Sequence, residues 1–247
     1  MAGNDSNTKL LLHMDGSGSS FTDSAAGATA HTVTAVSTAT QSASGHTGFG
    51  NAVFLNGTSD GVVVDSNADY AFGSGDWALD FWVWNDAILT QQNLMQRLGA
   101  VIAANDGWRL STNSNGTIFL QTPDGAATLQ TRLQGGTAWE GQWVWVVLAR
   151  SGTTVRLWTE GVYRTQWVGT IAIETGPLRL GHNAAANFFL DGRLDEVRIS
   201  TGTDRGWNAN ANITVPTEPY NGGAPTTGRL LTGLMESTLI VGAKGQR

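Results

Sequence analysis

The chain has no cysteine, which excludes disulfide staples and thiolate metal sites at once. Charge is also scarce, with Asp, Glu, Lys and Arg making up 14% of the residues against a typical ~25%. The net charge of −6 is spread along the chain without a basic stretch. A surface that neutralises phosphates is therefore missing, and no nucleic-acid partner is expected. No apolar run approaches the ~18 residues of a membrane span, so no membrane insertion is expected either. Met1–Thr8 is small and polar, lacking the basic start and apolar centre of a leader, so synthesis in a cytoplasm is expected.

What the sequence has instead is glycine, 32 residues of it, together with abundant Ser, Thr and Asn. That is the composition of many strands joined by tight turns. Period-two alternation and β-branched or aromatic runs predict strands at Leu10–Asp15, His31–Val36, Ala52–Asn56, Gly61–Asp65 and Trp77–Asn85. The same signals predict Gly99–Ala104, Trp108–Asn113, Thr117–Gln121, Thr128–Leu133 and Gln142–Arg150. Thr154–Thr159, Val162–Val168, Leu178–His182 and Phe188–Ser200 complete the set. Asn115-Gly116, Asp124-Gly125 and Glu160-Gly161 fall between strand pairs, where a bend needs φ > 0. Asp86–Arg97 reads as a loop. The expected fold is all-β, a two-sheet antiparallel sandwich.

Parity divides Trp77–Asn85 into one face with Trp77, Leu79, Phe81 and Val83 and another with Asp80, Trp82 and Trp84. Gln142–Arg150 divides likewise, Trp143, Trp145 and Val147 opposing Val144, Val146 and Leu148. Strands apolar on both faces belong mid-sheet, with the second face either covered by loops or used for binding. The sandwich pattern fades near Ser200, and Asp204–Tyr220 reads as an irregular return segment. A Gly/Pro/Thr linker follows, then a second apolar stretch, Arg229–Val241. The expected organisation is an arm at 1–8, the sandwich at 9–220, and a linker with a docking arm at 221–247. Leu230, Leu231, Leu234, Met235, Leu239 and Ile240 would bury that arm against a partner.

Several segments arrive in a familiar order. Lys9–Asp15 (KLLLHMD), Phe21–Ser24 and Phe49–Gly57 come first. Phe72–Trp77 then leads into Asp80–Val83, followed by Gln142–Trp145, Arg150–Gly152 and Leu157–Gly161. Asp191–Ile199 (DGRLDEVRI) and Pro216–Tyr220 close the series. Over Thr8–Tyr220 the chain resembles the concanavalin A-like, laminin-G-like domains common in bacteriophage virion proteins and bacterial surface proteins. The resemblance implies a jelly-roll sandwich, a lectin or adhesion role, and in some members a structural calcium ion. Such an ion can tie the first strand to the last, which here would use Asp15, Asp195 and carbonyls near Gly50. The alternative is that Asp15 caps its turn while Asp195 pairs with Arg193 or Arg198.

Glucanases of this fold carry E-x-D-x-x-E on one strand to flank the glycosidic bond. None of the six Glu residues here has Asp two positions on, and Trp77–Asn85 offers only Asp80. Gly57-Thr-Ser-Asp-Gly61 matches the nucleophile elbow in letters but joins two strands rather than a strand and a helix. No enzyme is expected. Among the ten tryptophans, Trp84, Trp108, Trp145 and Trp158 are the candidates to stack sugar rings, core packing being the alternative. The expected function is a bacteriophage structural or decoration protein of capsid, neck or tail. It would be homo-oligomeric, would bind other virion proteins through the arm, and would hold glycans on its sandwich. The rival is a bacterial extracellular carbohydrate-binding or adhesion module.

Overall fold

The computed structural model describes residues 3–220, except 89, 100, 104–105 and 172–175. The proposed docking residues Leu230, Leu231, Leu234, Met235, Leu239 and Ile240 lie outside the described residues. Fifteen strands and no helix are found among the described residues. One sheet runs β13 (Val162–Val168), β12 (Thr154–Thr159), β11 (Trp143–Ser151), β6 (Trp77–Asn85), β15 (Asp191–Thr201), β4 (Asn51–Asn56) and β3 (Thr40–Ser44). Its eighth strand, β1 (Thr8–Leu12), also pairs with β15. The second sheet runs β10 (Leu129–Thr137), β9 (Thr117–Pro123), β8 (Trp108–Thr112), β7 (Gln92–Arg97), β14 (Leu178–Leu180), β5 (Gly61–Val64) and β2 (Val33–Val36).

The sheets enclose a core to which each contributes every second side chain. Trp77, Leu79, Phe81 and Val83 of β6 and Val144, Val146 and Leu148 of β11 all enter it, as parity requires. They meet Met95, Leu110, Leu120 and Leu133 of the opposite sheet, which are aligned across β7, β8, β9 and β10. Trp77 stacks on Phe72 with centroids 3.9 Å apart, and Phe72 in turn lies 5.1 Å from Trp108. Each such side chain, fully buried, contributes on the order of 1.5–3 kcal/mol.

Four local expectations change. Gln92–Arg97 (QNLMQR), expected as loop, is a central strand with all six residues buried. A bulge between Asn93 and Met95 breaks its alternation, and amides with weak β propensity occupy its outward positions. Gly99–Ala104 is not a strand among its described residues: the β7–β8 ladder closes at Arg97 and Trp108, which leaves 98–107 as the connection. Val101, apolar but 85% exposed, shows how an aliphatic run misleads there. β3 (TQSAS) shows no strand signal in the sequence, because it has no large apolar residue. In the turn after β9 the positive φ falls at Ala127 (58°), not at Gly125, whereas Gly116 (77°) and the Glu160-Gly161 pair (52° and 68°) behave as expected.

The Gly57–Gly61 motif is a turn between β4 and β5. The Asn56 carboxamide oxygen accepts from the backbone N–H of Thr58, Ser59 and Asp60, and the Ser59 hydroxyl meets Ser37 and Asn56. The Ser59 hydroxyl is thereby engaged in turn contacts with Ser37 and Asn56.

Candidate functional site

The two outward sheet faces have opposite characters. On the eight-stranded sheet, Ala78, Trp82, Trp145, Val147, Ala149 and Trp158 point outward and are covered by Phe49 and Trp207, with Ile213 and Val215 packed alongside. The return segment is fastened along this face. The Trp158 indole N–H donates to the Ala211 carbonyl (2.8 Å), the Ile213 N–H to the Gly161 carbonyl (2.8 Å), and the Arg156 Nε to the Asn210 side chain (2.8 Å). Farther along, the buried Asp80–Arg198 pair (2.9 Å) receives the Tyr220 hydroxyl on Asp80. The only carboxylate on β6 is therefore sequestered rather than presented to a ligand.

This cover decides the fate of the expected sugar platforms. Trp145 and Trp158 are fully buried beneath the return segment, and Trp108 lies between the sheets. None of the three offers a ring face, because apolar side chains on both faces of a strand are sealed on both. Trp84 remains half-exposed. Its indole N–H donates to Asp86 (2.8 Å), Trp143 meets it edge-on, and the Arg193 guanidinium lies 5.2 Å from its ring centroid.

The seven-stranded sheet presents a polar outer face. One row crosses it in register: Val63 on β5, Arg179 on β14, Gln96 on β7, Arg109 on β8, Gln121 on β9 and Thr131 on β10. Their sequence neighbours Leu178, Leu180, Met95, Leu110 and Leu120 face the core, which fixes the row outward. Arg109 donates to the Gln121 side-chain oxygen through Nε (3.1 Å) and Nη2 (2.5 Å), and Arg179 Nη1 donates to the Leu98 carbonyl (3.3 Å). Beside this row the loop 181–190 folds over Asn93, whose amide donates to the His182 carbonyl (2.8 Å). A cleft of about 80 Å³ opens between Gln96, Arg109, Asn183, Leu98, Ile102 and Leu129. No carboxylate lines it among the described residues.

Neither arginine stands out in a sequence with ten tryptophans. The signal was present: Trp108-Arg109-Leu110 and Leu178-Arg179-Leu180 each set a cation outward between two core residues.

A second cluster sits where β15 changes partners. Residues 191–194 pair with β4 and residues 197–200 with β1, so Asp195 and Glu196 stand at the gap between those two strands. A bulge between Asp195 and Arg198 puts Glu196 at φ 48°, a conformation costly for a non-glycine residue. His13 Nδ1 lies 2.6 Å from Glu196 Oε1, and His13, Asp15 and Glu196 offer donor atoms within 4.8 Å of one another. Asp195 is wholly buried; its Oδ2 accepts the His46 N–H (3.1 Å), while its Oδ1 has no partner. Burial, reinforced by the nearby Glu196 and Asp15 charges, pushes the Asp195 carboxyl up to about 8. Asp195 takes neither expected arginine, since Arg193 sits by Asp86 and Arg198 by Asp80. Gly50 contributes room: a Cβ there would lie 1.9 Å from Asp15 Oδ1, and its carbonyl is engaged by the Gly45 N–H. The unpartnered oxygen of the buried Asp195 carboxylate fits a hard, oxygen-seeking cation such as calcium. Glu196, missed in sequence, joins Asp195 only because the bulge overrides strand parity.

A laminin-G-type profile, described as the concanavalin A-like lectin/glucanases superfamily, matches residues 56–203, more than half of the chain. The chain belongs to this superfamily. Among curated proteins none matches it. The binding domain of Paraclostridial Mosquitocidal Protein 1 superposes with a TM-score of 0.61 at 15% identity, over 79% of this chain and 49% of its own. Domain 4 of AbnA, a GH43 extracellular arabinanase from Geobacillus stearothermophilus solved with arabinotriose, gives 0.60 at 19%, over 86% of this chain and 100% of that one. The binding domain of botulinum neurotoxin serotype D/C gives 0.58 at 13%, over 82% and 51%. This superfamily member thus spans about half the length of the two toxin domains. At these identities the likeness is one of fold.

Proposed function

We propose that the chain is a non-catalytic, lectin-like module that binds saccharide in the cleft of its seven-stranded sheet and is displayed on a bacteriophage particle. One observation carries the binding reading: one outer sheet face is sealed by the chain's own return segment, while the other keeps a cleft walled by amide, guanidinium and aliphatic groups. Amides and guanidinium satisfy hydroxyls, and Leu98, Ile102 and Leu129 suit the C–H faces of a sugar ring. Glycoside hydrolysis needs two carboxylates about a cleft, whereas this one has none among its described residues. The arabinotriose-bearing AbnA domain, matched along its whole length, supports a saccharide ligand. At about 80 Å³ the cleft is far below the ~300–1,000 Å³ of a deep small-molecule pocket, so each site binds weakly and copy number supplies the avidity.

Display on a particle rests on the resemblance to phage virion domains and on the apolar stretch after Tyr220. In this reading Leu230, Leu231, Leu234, Met235, Leu239 and Ile240 bind neighbouring particle subunits, and Asp15, Asp195 and Glu196 hold a structural calcium ion. The extracellular arabinanase domain favours a second reading, a secreted bacterial carbohydrate-binding module. Two experiments test these readings. A glycan array with the full chain should retain one saccharide class and lose it in Gln96→Ala, measured below the melting temperature of that variant because Gln96 is only 2% exposed; retention of no glycan would sink the binding reading. Deletion of 222–247 should abolish incorporation into particles, and undiminished incorporation would favour the secreted module.

A further inference from the structure

Of the ten tryptophans, six are buried and three half-buried, whereas Trp139 is 52% exposed. The half-buried three each have a ring or guanidinium against them. Arg193 and Trp143 pack on Trp84, His46 and Trp84 on Trp143, and Arg132 on Trp167. No ring or guanidinium packs on Trp139 among the described residues.

The exposure comes from an anchored backbone. The Ala138 N–H donates to the Gly116 carbonyl (2.9 Å), the Gly141 N–H to the Asn85 carbonyl (2.9 Å), and the Ile88 N–H to Glu140 Oε1 (2.5 Å). The β8–β9 turn presses so closely on this connection that a Cβ on Gly116 would lie 2.8 Å from the Ala138 carbonyl oxygen. Both chain neighbours of Trp139 are thereby held. A lone exposed apolar side chain is ordinary, but this one walls a recess.

The recess encloses about 360 Å³ where the β8–β9 turn meets the connection from β10 to β11. It is several times larger than the Gln96 cleft and falls within the ~300–1,000 Å³ of small-molecule pockets. Ile88 and Ala138 give it apolar surface, and Ser114, Asn115, Thr137 and Glu140 complete it. The fold leaves most of their polar atoms unused. Asn115 Oδ1 accepts from the Thr117 N–H and hydroxyl, but Asn115 Nδ2 has no partner among the described residues. The same is true of the Ser114 and Thr137 hydroxyls, the Trp139 indole N–H and Glu140 Oε2.

The geometry points to a second saccharide site, where a neutral sugar ring lies on the Trp139 indole and its hydroxyls reach Ser114, Asn115, Thr137 and Glu140. A sugar ring has an apolar C–H face and a rim of hydroxyls, which matches an aromatic wall beside neutral donors and one acceptor. No cation lines the recess among the described residues, and the Glu140 carboxylate repels an anion, so the ligand is uncharged. Leu129, at the start of β10, borders the Gln96 cleft, and Thr137, at its end, borders the recess. At ~3.3 Å per residue the two sites lie roughly 25 Å apart, too far for a trisaccharide to bridge. Saccharide binding at Trp139 therefore does not require saccharide in the Gln96 cleft.

An array of neutral and acidic glycans, probed with the full chain, Trp139→Ala and Gln96→Ala, tests the site. At least one neutral glycan held by the parent should be lost in Trp139→Ala and kept in Gln96→Ala. In titration calorimetry Trp139→Ala should bind that glycan about tenfold more weakly, and Trp139→Tyr should restore most of the loss. The glycan should also shield Trp139 from N-bromosuccinimide oxidation, read by peptide mapping. An array pattern in Trp139→Ala identical to the parent's would overturn the site, and losses confined to Gln96→Ala would leave the first cleft standing alone. Loss of acidic glycans only, or a parent that holds no glycan, would overturn it as well.

Discussion

The guanidinium carbon of Arg198 lies 3.6 Å from the ring centroid of Tyr220, and the same tyrosine hydroxyl reaches the Asp80 carboxylate that Arg198 holds. Three buried groups thereby lock the last described residue onto the middle of the eight-stranded sheet. Asp80→Ala should cost about 3–5 kcal/mol, because it strips a buried cation of its carboxylate. Tyr220→Phe, which removes one hydrogen bond to a charged group, should cost about 1.5–3 kcal/mol. Urea unfolding of both variants checks the order; equal, negligible losses would show that the lock contributes nothing.

The return segment is expected to behave as part of the core. Trp207→Ala should cost about 3–5 kcal/mol, as for other buried tryptophans. It should also open Trp145, whose ring lies 5.7 Å from Trp207, to acrylamide quenching. Trp139→Ala, at a site 52% exposed, should stay within about 0.5 kcal/mol of the parent.

The Asp195 cluster predicts a pH dependence with a definite sign. The folded chain keeps a proton on Asp195 up to about pH 8, whereas unfolding returns the group to 3.8. The folded state then binds more protons, so cation-free protein should lose stability as pH rises from about 4 to 8. His13 acts in the same direction. Burial alone would lower its pKa, but Glu196 outweighs that and raises it, so its contribution is full below 6.5 and lost above its folded value. Added calcium should raise the melting temperature most at pH 8, and chelator should reverse the gain. A melting temperature indifferent to both would remove calcium from this site.

Gly50 should tolerate no side chain. Gly50→Ala meets Asp15 Oδ1 at 1.9 Å and must hold φ 94°. A loss of more than about 1 kcal/mol is expected, together with loss of any calcium response. Gly73→Ala serves as the control for strain alone, since φ is 56° there and nothing lies within 4 Å.

Much of this fold can be read from period-two patterning. The division of β6 and β11 into inner and outer faces follows from sequence alone, because each buries two apolar faces. What escaped reading are positions where long-range contacts override local preference. Gln92–Arg97 forms a strand although its amides favour loops, since neighbouring strands and the loop 181–190 supply its partners. Glu196 escapes because a bulge turns it out of alternation. Three expected sugar platforms fail for a physical reason: tryptophan suits a sealed core as well as a binding surface, and sequence does not show what lies on top. The arginine row was visible as W-R-L and L-R-L, yet whether an outward cation finds a carboxylate depends on strand register.

The sealing of one sheet also gives the module a front and a back. Tyr220, where the described chain ends, is anchored on the outer side of the eight-stranded sheet, and the cleft opens on the outer side of the other. Two sheets packed roughly 10 Å apart separate the tether from the mouth. A body joined directly at Tyr220 would therefore start on the side of the module opposite the cleft.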